Sequence, residues 1–209
     1  EFWLYWTGDN SQWQGVISQR AGDDDHWYFS LPASGSTGEM DFRYVTGTWG
    51  SHITLEGTDD SISKDTWYHI AVVRNGSAWT LYVGGVAQDT VTDSRDNYDI
   101  AAQVVIGGDE NDIAQNTLVG NLDEIRFSNV ARYTGTFTPQ TTEFTTDSNT
   151  LLLIHSNWDG GLGADSSGNF NAFTATNLVA SDKMVDSPTN NFCTMNPLSI
   201  GIGGGADTV

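Results

Sequence analysis

The stretch Trp67-Tyr68-His69-Ile70-Ala71-Val72-Val73-Arg74, then Asn75-Gly76-Ser77, then Trp79-Thr80-Leu81-Tyr82-Val83, constrains the fold more than any other part of the chain. Asn-Gly between two runs of β-branched and aromatic residues signals a hairpin, because both residues tolerate positive φ and the tight turn matches strand twist. Successive side chains of a strand point to opposite faces. Trp67, His69, Ala71 and Val73 therefore share one face, and Tyr68, Ile70 and Val72 the other. Both faces are largely apolar, which places this strand centrally, covered on both sides. Gly84-Gly85 offers a second tight turn into residues 86–88.

The same pattern recurs along the chain. Phe2, Leu4 and Trp6 alternate with Trp3 and Tyr5, and further strands are expected at residues 15–20, 27–31, 39–45, 52–55, 104–106, 121–127 and 151–155. Helical periodicity is nearly absent, so the expected class is all-β, an antiparallel sandwich. The 8 Trp, 7 Tyr and 9 Phe supply its core. The opening Glu1-Phe2-Trp3 reads as a strand already under way, so the expectation is a piece of a longer polypeptide with its first strand cut. From Asn157 onward Gly, Asn, Ser, Thr and Asp take over, ending in Ile200-Gly201-Ile202-Gly203-Gly204-Gly205. We expect a sandwich over 1–156 and an extended Gly/Asn/Ser-rich tail, linker or start of a further β domain over 157–209.

Charge narrows the function. The 8 basic against 27 acidic residues give a net charge of −19. Nucleic acid is excluded as a partner, because phosphates require a basic face. Such acidity serves solubility, or at particular Asp clusters holds a hard cation. Cys193 is the sole cysteine, so no disulfide framework forms within the chain. No apolar run approaches the ~20 residues of a membrane span, so no membrane insertion is expected.

Asp65-Thr66 with the 67–76 hairpin, and Leu81-Tyr82-Val83-Gly84-Gly85 after it, resemble the hallmark strands of laminin-G-like jelly rolls. Gly120-Asn121-Leu122-Asp123-Glu124-Ile125-Arg126-Phe127-Ser128, followed by Asn129-Val130-Ala131-Arg132, resembles the late strand and turn of that family. Glu1-Phe2-Trp3 is similar to its early strand, which at least one more strand normally precedes. The resemblance covers about residues 1–156 and implies a concanavalin A-like jelly roll. That fold hosts lectins, glycoside hydrolases and adhesion modules, so it does not decide function. Leu151-Leu152-Leu153-Ile154-His155-Ser156, Ala164-Asp165-Ser166-Ser167-Gly168-Asn169 and Asp186-Ser187-Pro188-Thr189-Asn190-Asn191-Phe192 resemble segments of tail-fibre and other virion proteins of marine bacteriophages. This second resemblance implies a virion-surface or extracellular location, with neighbouring subunits as partners in a homo-oligomer.

Several chemistries compete. Asp23-Asp24-Asp25 lies between two expected strands, and Gly107-Gly108-Asp109-Glu110-Asn111-Asp112 follows another. These loops resemble the calcium loops of pentraxins, and the resemblance implies that Asp24, Asp25, Asp109, Glu110 and Asp112 hold Ca²⁺. Asp and Asn also favour turns for their own sake. Glu39-Met40-Asp41-Phe42-Arg43 begins like the Glu-x-Asp-x-Glu strand of related hydrolases but ends in Arg. A retaining mechanism needs two carboxyls about 5 Å apart, and a guanidinium cannot replace the proton donor. There is no Gly-x-Ser-x-Gly elbow, and His26, His52, His69 and His155 show no metal-ligand spacing. His69 and His155 are expected in the core or an interface. For sugar binding, aromatic platforms are expected at Trp13, Trp27 and Trp49, beside Asp, Asn and Gln that bond hydroxyls. The expected function is non-enzymatic recognition of host-surface glycans. A purely structural virion building block is the alternative and a glycoside hydrolase the third reading.

Overall fold

The structure is a computed structural model, and it describes residues 1–8, 12–31, 38–47, 52–95, 100–109, 116–156, 163–175 and 188–189. These residues form the strands β1 (Phe2–Trp6), β2 (Gln14–Gly22), β3 (Asp25–Leu31), β4 (Asp41–Thr46), β5 (His52–Leu55) and β6 (Trp67–Asn75). They continue with β7 (Ala78–Val83), β8 (Val86–Thr92), β9 (Val104–Ile106), β10 (Gly120–Asp123), β11 (Ile125–Ser128) and β12 (Thr150–Ile154). A first sheet runs β10-β1-β6-β7-β8, a second runs β5-β4-β3-β2-β9, and β11 pairs with β12 as a ribbon. Every pairing is antiparallel, as expected for a jelly-roll sandwich.

Alternation builds the core. Phe2, Leu4 and Trp6 of β1, Ile70 of β6 and Leu81 of β7 face Ile17, Phe29, Leu31, Phe42 and Leu55 of the second sheet. Each such side chain contributes roughly 1.5–3 kcal/mol of burial free energy. The strand β6 is central, and its other face is covered too. Ala71, Val73 and Tyr82 pack under Ala131, Tyr133 and Phe137. Trp3 packs with Phe144, Leu153 and Trp67 beside them. Under this cover the Glu1 carboxylate accepts hydrogen bonds from Arg126 Nε at 2.9 Å and Nη2 at 2.7 Å, and lies 2.9 Å from His69 Nε2. Burial pushes the Glu1 pKa up, but the His69 hydrogen bond and the Arg126 guanidinium hold it well below the usual carboxylate range.

The single late strand expected over 121–127 is two strands. Glu124 breaks it with φ of 50°. Its buried carboxylate takes the backbone N–H of Phe144 at 2.8 Å, which holds the break in place. The chain thereby leaves the first sheet at Asp123 and enters the ribbon at Ile125.

Part of the expected tail also lies against the sandwich. The N–H of Ser166 donates to Leu153 O at 2.7 Å, and Asn169 Nδ2 donates to Thr150 O and Leu151 O at 3.0 Å. Phe173 and Ala175 pack against the core, and Thr189 Oγ1 donates to Asp123 at 3.1 Å.

The cover over the first sheet depends on one glycine. Gly85 has φ of 81°, and a Cβ there would sit 2.0 Å from Phe137 O. The N–H of Phe137 donates to Gly85 O at 3.0 Å, so neither backbone can retreat without losing that bond. Gly85→Ala is expected to cost roughly 2–4 kcal/mol through left-handed strain and overpacking, read as a lower urea midpoint with an unchanged slope.

Candidate functional site

The two sheets differ on their outer sides. The first is sealed by the segment carrying Tyr133, Phe137 and Phe144, whereas the second carries polar and aromatic side chains, of which Ser18, His26, Ser30 and Val45 are buried and Tyr28, Arg43, Arg20 and Asp41 half-buried. Register places Ser18 opposite Tyr28, Tyr28 opposite Arg43, and Arg43 opposite Thr54, in one row across β2, β3, β4 and β5. The row to one side holds Arg20, His26, Val45 and His52, and the row to the other holds Ser30 and Asp41. These residues face outward because Ile17, Phe29, Phe42 and Ile53 take the inward positions.

Tyr28 is the hub. Its ring centroid lies 5.3 Å from that of Trp13, edge to face, and 5.7 Å from His26, nearly parallel. The Arg43 guanidinium lies 5.9 Å above the same ring. Tyr28, Trp13, Arg43, Arg20 and Asp41 are all half-buried, so each keeps surface for a ligand. Burial raises the Tyr28 pKa, Arg43 opposes, and Asp109 and Asp41 push it further up, so the hydroxyl stays a donor. Burial lowers the His26 pKa despite a hydrogen bond to Gly22 O, and the Arg20 charge lowers it further. Around one aromatic pair the face thus sets a cation, a neutral ring and carboxylates, which can bond hydroxyls as donor and as acceptor.

At the Asp41 side lies a carboxylate group. Glu39 is pushed up to about 7 by burial, by a hydrogen bond with Asp59 and by the charges of Asp41, Asp59 and Glu56. Arg43 sits two positions along from Asp41, on the same face. The segment therefore presents the carboxylates Glu39 and Asp41, with the Arg43 guanidinium at the position where the Glu-x-Asp-x-Glu strand would carry its third carboxylate.

The site residues expected from sequence fall in different places. Trp13 lies on the outer face against Tyr28. Trp27 points inward, packing on Phe29, Phe42 and Phe127, with its Nε1 donating to Gln19 Oε1 at 2.8 Å. Trp49, Glu110 and Asp112 lie outside the described residues, as does Cys193. Asp24 and Asp25 lie at the tip of the β2–β3 hairpin, where Arg20 pairs with Asp23. Asp109 lies along the sheet instead, over Gly15, whose Cβ would sit 2.5 Å from the Asp109 nitrogen. Ser18 Oγ donates to the neighbouring Gly108 O at 3.1 Å, which holds that crossing. Asp25 and Tyr28 are three residues apart along β3, roughly 10 Å at the strand rise. Asp24, Asp25 and Asp109 are not among the described groups of three whose ligand atoms lie within 4.8 Å of one another.

Among the described residues, one group of three His, Cys, Asp or Glu brings its ligand atoms within 4.8 Å: Glu124, Glu143 and His155. His155 Nδ1 lies 3.0 Å from both Glu124 carboxylate oxygens and 3.5 Å from Glu143 Oε1. The nitrogen is spent on this carboxylate, and Glu124 also holds the Phe144 N–H, so the group works as an ion pair joining β12 to the strand break. His69 is fully buried and His155 half-buried, both at the interfaces expected of them.

Tyr28 and Arg43 were not among the expected site residues. Their signal was present: once Trp27, Phe29 and Leu31 are taken as inward, His26, Tyr28 and Ser30 must face outward. What sequence could not supply was the pairing that sets Arg43 beside Tyr28.

A family model described as Concanavalin A-like lectin/glucanases superfamily, of the Laminin_G_3 type, matches residues 1–136. No curated protein matches the chain. Among solved structures, the Ruminococcus gnavus IT-sialidase CBM40 is similar at 16% identity and TM-score 0.44, covering 56% of this chain and 65% of that one. The chain therefore spans a little under two thirds of that structure's length. The same CBM40 bound to α2,6 sialyllactose is similar at 15% identity and TM-score 0.44, covering 56% of this chain and 67% of that one. Bound to α2,3 sialyllactose it is similar at 15% identity and TM-score 0.42, covering 51% and 62%.

The His155 ion pair gives a pH signature. Burial alone would lower the His155 pKa, but Glu124, Glu143 and Asp123 raise it above the ordinary 6.5. A raised folded pKa means the folded state binds the proton more tightly. The stabilisation is thus full below pH 6.5 and lost as pH rises through the folded value. His155→Gln is expected to cost about 1–2 kcal/mol below that pH and progressively less above it. Urea unfolding of both proteins across the pH series checks this, and their difference separates His155 from Glu39.

Proposed function

We propose that this chain, which belongs to the concanavalin A-like lectin/glucanases superfamily, is a non-enzymatic glycan-recognition module that binds on the outer face of its second sheet. The observation that carries the reading is the Tyr28 hub, with Trp13 at 5.3 Å and Arg43 over the ring. A sugar ring offers an apolar face to such aromatics and hydroxyls at its rim. Arg43 and the Tyr28 hydroxyl donate to those hydroxyls, and Asp41 accepts. Arg43, at the position where the Glu-x-Asp-x-Glu strand of related hydrolases carries its last carboxylate, favours binding over cleavage. The setting that fits is an extracellular or virion-surface appendage, with glycans of a host surface as the partner.

One observation favours subunit contact as a second role. Phe170 is 93% exposed, with φ of 58°, and Asn169 and Asn171 on either side are tied to Leu151 O at 3.0 and 2.9 Å. Leu151 itself is 47% exposed. A pinned, projecting ring beside an exposed leucine suits a neighbouring protomer.

Tyr28→Ala and Trp13→Ala are each expected to weaken the best glycan on an array about tenfold or more, roughly 1.4 kcal/mol, in isothermal titration. Trp13→Phe keeps most of the affinity. Unchanged binding in both alanine variants would place the site elsewhere. For the second role, Phe170→Ser is expected to shift the chain from oligomer to monomer in sedimentation velocity while leaving glycan affinity intact.

A further inference from the structure

The Glu124, Glu143 and His155 group draws its members from three separate segments. Glu124 sits at the break between β10 and β11, Glu143 on the segment that covers the first sheet, and His155 directly after β12. Each is held by its surroundings. Glu124 is fully buried, with φ of 50° and its carboxylate on the Phe144 N–H at 2.8 Å. Glu143 precedes the buried Phe144, and its carbonyl accepts from Gln140 Nε2 at 2.8 Å. Ligand atoms oriented by buried neighbours are what a metal centre requires.

The spacing fits a small dication. His155 Nδ1 lies 3.0 Å from each Glu124 oxygen and 3.5 Å from Glu143 Oε1. With bonds of about 2.1 Å, neighbouring donors around a metal stand about 3.0 Å apart in octahedral and about 3.4 Å in tetrahedral coordination. A proton on Nδ1 must be split between two equidistant oxygens, which bends both hydrogen bonds. A metal in its place takes both oxygens as ligands.

The charge also fits. Glu124, Glu143 and Asp123 all act on the imidazole. One imidazolium offsets one of these three negative charges, and Asp123 and Glu124 are fully buried. Arg126, whose guanidinium lies 4.3 Å from the Phe144 ring centroid, is committed to Glu1. A dication offsets two. The Glu143 side chain is 51% exposed, so the group opens to solvent on that side. The opening admits the ion and leaves room for a water ligand.

We propose that Glu124, Glu143 and His155 form a binding site for one divalent first-row transition metal ion, of the Zn²⁺ class, that clamps the strand break to β12 and to the covering segment. An imidazole among the donors selects such an ion over Ca²⁺ and Mg²⁺, which take oxygen ligands. The site shares no residue with the Tyr28 face, so it stands or falls independently of glycan binding.

Zn²⁺ titrated calorimetrically into the chelator-treated chain tests this. The chain is expected to bind the ion at this site, and saturation to raise the melting temperature by about 3 °C or more. Glu143→Gln is the decisive variant, because its half-exposed side chain can be changed without unfolding the protein. It should weaken Zn²⁺ binding at least tenfold, and so should His155→Gln. Glu39→Gln, in the other carboxylate group, should leave the affinity unchanged. In nitrogen NMR the His155 Nδ1 resonance should move on Zn²⁺ addition, which ions bound elsewhere on an acidic surface would not cause. Absence of Zn²⁺ binding, binding that both Glu143→Gln and His155→Gln leave intact, or displacement of Zn²⁺ by an equal concentration of Ca²⁺ would overturn the proposal.

Discussion

The strand β6 is buried on both faces, and each face makes a different demand on the chain. Tyr68, Ile70 and Val72 require a second sheet across the interior. Ala71 and Val73 require something over the outside, and the segment carrying Tyr133 and Phe137 supplies it. An antiparallel sheet can leave one side to water, so double burial is a specific commitment. It turns the stretch after β11 from a loop into a structural layer, held by the Phe137–Gly85 backbone bond. The outer face of the second sheet is covered in part, with Ser18, His26, Ser30 and Val45 buried, and it keeps exposed surface at Tyr28, Arg43, Arg20 and Asp41.

In a chain of net charge −19, two buried carboxylates organise the junction between the layers. Glu1 gathers Arg126 and His69 beneath the outer cover, and Glu124 gathers the Phe144 N–H and His155 at the strand break. A buried carboxylate without such partners would cost several kcal/mol. Each therefore selects one arrangement of β11 and β12 against the alternatives. The acidity of the surface keeps the molecule dispersed, whereas these two acids work as geometry.

The candidate site follows from the same division. The inward aromatics of β3 and β4 fix the outward set by alternation, and the pairing of the strands then brings Tyr28, Arg43 and Trp13 together. Trp27 shows the rule from the other side. Its neighbour Tyr28 lies on the outer face, so Trp27 itself belongs to the interior.

Sequence alone determined what period and turn chemistry can determine. Alternation marked the strands 52–55 and 104–106 at their observed bounds, and Asn75-Gly76 marked the hairpin, because these signals act between residues close in the chain. It placed β6 at the centre, since both its faces were apolar. It could not see that 121–127 breaks at Glu124, because the partners that hold that break, Phe144 and His155, lie 20 and 31 positions away. Nor could it join Glu1 to Arg126, 125 positions apart. It selected tryptophans as platforms by their loop-like surroundings, whereas exposure to a ligand is decided by which face another layer covers. That choice is made by long-range packing, and only the tertiary structure records it.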